Sequence, residues 1–344
     1  MILEPLFLDS LSSLPEAKKV EALHEAYKFK FINSLIDLIV CAGNALDEDY
    51  YPIINKLHTI KDKPPKYFSP WLYNLYFKLL EFMEKDDISE VKRILSLLSN
   101  VEEHYFFLES QRIQPGLVED WECLVFSEEE LVSFGSHALK ASSPTEHEVH
   151  LFKLCFGRSM ELIATASPLL LKEIYSLVST ILLVNSPVNV GATSPKFFGA
   201  IYISLPQGEL EKHHDLLLVD QLVHETSHLF LNSIIAHDPL ILNSPQERFS
   251  SPIRDDLRPM LGVYHATFVL NRVIRVFKKI HALHLYHDEA FLMMCINNLL
   301  IKYEIAYSTV KAHAVLTKIG KQIFESTREC ASLENPHNFA EVAV

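Results

Sequence analysis

His224-Glu225-Thr226-Ser227-His228 sets two imidazoles four residues apart with a carboxylate next to the first. On an α-helix that spacing brings both rings to one face, about one turn apart, which suits two cis ligands of one metal ion. The flanking stretches, Leu216 to Val223 before and Leu229 to Ile235 after, are almost continuously apolar, with Asp215 as the expected N-cap and the run ending near Asp238-Pro239. Such a helix belongs inside a domain. Two histidines and a glutamate in it are costly unless something pairs with them, and the spacing points to a metal ion rather than to hydrogen-bonded core histidines.

A catalytic metal usually takes three protein donors and keeps positions open for substrate or water. His265 is the first candidate for the third, because it sits on the next long helix among Val263, Tyr264, Phe268 and Val269. Glu247 is the rival, and a carboxylate there would suit either a zinc peptidase or a two-His-one-carboxylate iron site. Arg254 and Arg258 stand shortly before His265, and Arg272 returns to its helix face about two turns later. Guanidinium groups beside an open metal position suit a dicarboxylate. Asp220, one turn before His224, is a candidate acceptor for an imidazole N–H. His213 and His214 are adjacent and point apart, while His281, His284 and His287 wind around a helix end and read as solvated.

The elements that must carry these residues are mostly helices. The chain has 344 residues, 49% of them hydrophobic and 22% charged, with only 9 glycines, which predicts a mainly α, multi-helical protein. Helical patterns cover roughly 15 to 41, 70 to 84, 88 to 110, 128 to 141, 148 to 166, 168 to 183 and 262 to 285. Gly199 to Ser204 reads as a short β element next to the metal helix in sequence, and its edge is a candidate floor for an extended substrate. A boundary at Ala141-Ser142-Ser143-Pro144-Thr145 separates a helical region, 1–141, suited to packing or to holding a partner or peptide, from a metal-binding catalytic domain, 142–344.

A formal charge of −13 with no Lys/Arg stripe argues against nucleic acid as a partner. Five widely spaced cysteines without C-x-x-C pairs suggest neither a disulfide framework nor a thiolate zinc site, so a reducing cytoplasm is expected. The N-terminus lacks a secretion pattern and charges interrupt the longest apolar runs, so no membrane span is expected.

Four blocks together carry a family resemblance: Gly199-Ala200-Ile201-Tyr202-Ile203; Leu222 through His228; Ser251 through Pro259; and Gly262-Val263-Tyr264-His265. Over roughly residues 150 to 325 the chain resembles the HExxH-motif proteins of ribosomal peptide natural-product biosynthesis. That resemblance implies iron(II)- and 2-oxoglutarate-dependent β-hydroxylation of a residue in a precursor peptide, with O2 as oxidant. It implies His224, His228 and His265 as iron ligands, Arg254 or Arg258 on 2-oxoglutarate, and an orienting role for Glu225. The alternative is a zinc metallopeptidase with Glu225 as general base. The missing H-x-x-G-x-x-H extension and the arginines before His265 count against it. A helical interaction protein that merely retains the motif is the third reading.

Overall fold

The structure, a computed structural model, describes residues 5–100, 107–115, 144–185, 191–206, 208–253 and 256–331. It is mainly α-helical, as the composition predicts. The helices are α1 (Pro5–Leu8), α2 (Ala17–Leu46), α3 (Tyr51–Asp62), α4 (Pro70–Glu84), α5 (Ile88–Asn100), α6 (Glu146–Ala166), α7 (Pro168–Leu177), α8 (His214–Ile235), α9 (Met260–Ala282), α10 (Glu289–His313) and α11 (Lys318–Ala331). The strands are β1 (Tyr67–Phe68), β2 (Phe107–Leu108), β3 (Arg112–Pro115), β4 (Thr180–Leu183), β5 (Gly191–Ala192) and β6 (Ala200–Ile203). Two compact units interleave in sequence. One comprises Met1–Ile2, Val20–Leu154 and Tyr175–His214; the other comprises Leu3–Lys19, Cys155–Ile174 and Asp215–Val344. The helix expected over 128 to 141 and residues 141 to 143 of the expected boundary lie outside the described residues.

In the first unit, Val20, Leu23, Leu35 and Ile39 recur at helical spacing on α2 and are buried. Phe31 packs against Tyr73 at 4.3 Å between ring centres, and Tyr73 against Phe198 at 5.4 Å. Among the described residues α2 alone is long and apolar enough to cross a membrane, with a window of mean hydropathy 1.4. Lys30 and Asp37 therefore do not break the run as expected from sequence. A four-stranded sheet in the order β3-β4-β6-β5 completes this unit, parallel except for β5.

Beyond the helix expected over 88 to 110, of which Ile88–Asn100 is helix and Phe107–Leu108 is strand β2, two further expectations change here. The helix from Pro168 stops at Leu177, and the fully buried run Thr180–Leu183 forms the parallel strand β4. A short, wholly apolar stretch has no alternation to betray a strand buried on both faces. The second change concerns β6, which lies between β4 and β5 with Tyr202 and Ile203 paired on both sides. It therefore offers no free edge at those residues for an extended substrate.

In the second unit α9 packs along α10 and α11, with Leu270, Ile274 and Tyr303 at the centre of the contact and Leu299, Leu300 and Tyr307 around it. The start of α9 is pinned by Tyr264, whose hydroxyl donates to the Gly320 carbonyl at 2.9 Å. Gly320 itself lies against the backbone of Leu240, where an added Cβ would meet the carbonyl oxygen at 2.2 Å. Replacing Gly320 by Ala should therefore cost about 1–3 kcal/mol, the usual penalty for overpacking. Urea denaturation would show it; wild-type stability would contradict this close approach.

Candidate metal centre

Helix α8 begins at His214, so Asp215 lies in its first turn, where its carboxylate accepts from the Leu216 N–H at 2.9 Å, rather than at the N-cap. The helix is enclosed on almost every side: Leu216, Leu218, Val219, Leu222, Val223, Leu229, Leu231 and Ile234 are all fully buried. Apart from Asp215 in the first turn, its partly exposed positions, Leu217, Asp220, His224, His228, Asn232 and Ile235, recur at helical spacing as one stripe. Both histidines of the motif stand on that stripe. Glu225 and Thr226 lie off it, 5% and 0% exposed.

His265, on α9, repeats the pattern. It is partly exposed while Tyr264 and Ala266 on either side are buried. The structure brings the three imidazoles together: the His224 and His228 ring centres are 5.1 Å apart, and His228 and His265 stack at 5.2 Å with 24° between planes. The Nδ1 atoms of His228 and His265 face each other at 2.9 Å. Burial pushes the pKa of His228 down to about 4. Burial, aided by the neighbouring His228, pushes His265 down to about 3. Both rings are therefore neutral near pH 7, the state in which an imidazole binds a metal.

Does this cluster fit a metal ion? Among the described residues no group of three or more His, Cys, Asp or Glu side chains is placed so that it could hold a metal ion. In donor type, though not in placement, the three imidazoles match what a metal site would need. Two nitrogens on one tetrahedral zinc ion, each about 2.0–2.1 Å from it, stand roughly 3.3 Å apart, somewhat more than the 2.9 Å between the facing Nδ1 atoms. An ordinary hydrogen-bonded histidine pair accounts for those atoms equally well. His265 Nε2 is buried with no hydrogen-bond partner, at a cost of about 1–3 kcal/mol, and an ion held between the facing Nδ1 atoms would leave it so as well.

The other candidates separate clearly. Glu247 is exposed, and its carboxylate accepts from the Asn243 side chain and the Ser244 N–H, both at 3.2 Å, so it braces its own loop. Arg258 exchanges two 2.8 Å backbone hydrogen bonds with Phe249, and its Nε and Nη2 are buried without a hydrogen-bond partner. Asp256 Oδ2 approaches that Nε at 3.1 Å, outside hydrogen-bond alignment. Arg272 is wholly buried and paired with Glu173. Arg254 lies outside the described residues. Asp220 is raised to about 6 by burial, opposed by Lys302 of α10. His284 and His287 are exposed, as expected for a solvated helix end. Sequence reasoning missed a ring pair joining the same two helices, Phe230 and Phe268, which stack at 5.9 Å and carry no signal beyond apolar periodicity.

No family model matches the chain, and no curated protein matches it. The likeness to the HExxH oxygenases rests on its motif blocks alone.

The histidine pair makes stability depend on pH. Folded values near 4 and 3 lie below the ordinary 6.5, so the unfolded chain takes up more protons between these limits. The stabilisation is complete above about pH 6.5 and is lost as pH falls toward 4. His24 in the first unit, also pushed down to about 3 by burial, acts in the same direction. Urea midpoints at pH 7.5 and 5 should therefore differ more in chelator-treated wild type than in a His228→Gln/His265→Gln variant. Equal differences would contradict the neutral, enclosed pair.

Proposed function

We propose that the chain is an iron(II)- and 2-oxoglutarate-dependent oxygenase that hydroxylates the β-carbon of a residue in a ribosomally made precursor peptide. One observation carries the metal-site part of this reading: three partly exposed, clustered imidazoles interrupt otherwise buried helices, with two of their nitrogens facing each other. His224, His228 and His265 would hold the metal. When bound, iron and 2-oxoglutarate would supply the oxidising power for attack on an unactivated C–H bond, with O2 as oxidant.

The chain's own contribution is binding, orientation and water exclusion. Nε and Nη2 of Arg258 form the side-on edge of the guanidinium, the edge that takes a carboxylate with two parallel hydrogen bonds. Its buried donors make Arg258 the candidate for the far carboxylate of 2-oxoglutarate, which would have to displace the Asp256 carboxylate 3.1 Å from Nε. Arg272 is already engaged by Glu173. Glu225, only 5% exposed, is enclosed more fully than the imidazoles beside it. That placement favours an orienting carboxylate over one that must activate a water in an open site, and it weighs against the zinc peptidase.

Anaerobic addition of Fe(II) and then 2-oxoglutarate should give a saturable visible charge-transfer band that is lost on admitting oxygen. Arg258→Met should weaken 2-oxoglutarate binding roughly 10- to 100-fold, the worth of one or two hydrogen bonds to a charged group. Glu225→Gln should keep the band. Tight zinc binding with no band in wild type, together with peptidase activity abolished by Glu225→Gln, would replace the oxygenase with the peptidase.

A further inference from the structure

A second side-chain assembly spans the helices that carry the histidines, and the proposed chemistry does not use it. Arg272 of α9 is 1% exposed, Glu173 of α7 is fully enclosed, and Arg272 Nη2 donates to Glu173 Oε2. The other carboxylate oxygen of Glu173 accepts the backbone N–H of Glu16, just ahead of α2, at 2.7 Å. The guanidinium carbon stands 5.3 Å from the ring centre of Phe230 and 5.4 Å from that of Phe268. Phe230 follows His228 by two residues on α8, and Phe268 follows His265 by three on α9. Their rings are nearly parallel, 30° apart. Beside the stacked imidazoles there is thus a second ring pair joining the same two helices, with one guanidinium over both rings and a third helix holding that guanidinium in place.

Stability alone does not favour this arrangement. Nε and Nη1 of Arg272 are buried without hydrogen-bond partners. Burial pushes the Glu173 carboxyl up, against the opposing pull of Arg272. Apolar side chains of similar volume commonly match or exceed the stability of such a buried pair. They would lack the flat, anchored cation that fixes both ring planes.

We infer that Arg272 and Glu173 are positioning residues that set the spacing of α8 and α9 at the imidazole cluster. They keep the facing nitrogens of His228 and His265 within reach of one ion. Only this last consequence rests on the metal-site reading.

The test compares wild type with Arg272→Met and with the double variant Arg272→Met/Glu173→Leu. The double variant leaves no uncompensated buried charge, so it remains informative even where the single variant fails to fold. Circular dichroism checks folding, and long-range nitrogen–proton NMR of the imidazoles in chelator-treated protein reads the His228–His265 contact without any metal. The expected result is one fixed pair of tautomers in wild type and averaged tautomers in the folded double variant, with Co(II) affinity reduced about 10- to 100-fold. Wild-type imidazole signals in the folded double variant would overturn the inference. Averaged tautomers in the double variant, with no Co(II) binding even by wild type, would uphold the positioning role and remove the metal-site reading.

Discussion

An imidazole enclosed by a protein must find partners for both of its nitrogens, and that requirement organises the second unit. Helix α8 buries nearly all of its surface and leaves one partly exposed stripe, on which His224 and His228 stand. His265 reaches the same cluster from α9 and still has one buried nitrogen unpaired. Enclosure keeps the rings neutral, and neutral rings are useful as metal ligands. The energetic cost of the cluster and the neutral state of its rings thus have one cause.

Holding three such rings together is a problem of helix placement. Gly320 allows α11 to approach the Leu240 backbone, and Tyr264 ties its carbonyl to the start of α9, one residue before His265. Phe230 and Phe268 form a parallel contact across the same pair of helices, with Arg272 over both rings. Several unrelated interactions therefore converge on the position of a single imidazole. The loop before α9 is closed by the Phe249 and Arg258 backbone pair, which brings the buried Nε and Nη2 edge of Arg258 close to where that helix begins.

Much of this was legible in the sequence because long amphipathic or apolar helices announce themselves. Pro70–Glu84 matches its expected bounds, with Ser69 capping the Trp71 N–H at 3.2 Å and proline in the first turn. The clustering of His265 with the HETSH pair followed from the cost of an unpaired ring among Val263, Tyr264 and Phe268. Other features were hidden for physical reasons. The run Thr180–Leu183 is apolar throughout, so nothing in its pattern separates a buried strand from a helix end. The partner of Arg272 lies on α7, far away in sequence, and no local rule links it to Glu173. Arg272 was legible as a guanidinium on the right face, but its engagement was not. Glu247 had the right chemistry for a ligand, yet its own loop takes up both carboxylate oxygens.

The central claim is that His224, His228 and His265 share one metal ion, and X-ray absorption of the Fe(II)-loaded protein tests it most directly. The account predicts one iron per chain, with a first shell of nitrogen and oxygen only and multiple scattering from three imidazoles that falls to two in His265→Ala. An unchanged spectrum in that variant, or substoichiometric iron in wild type, would contradict it.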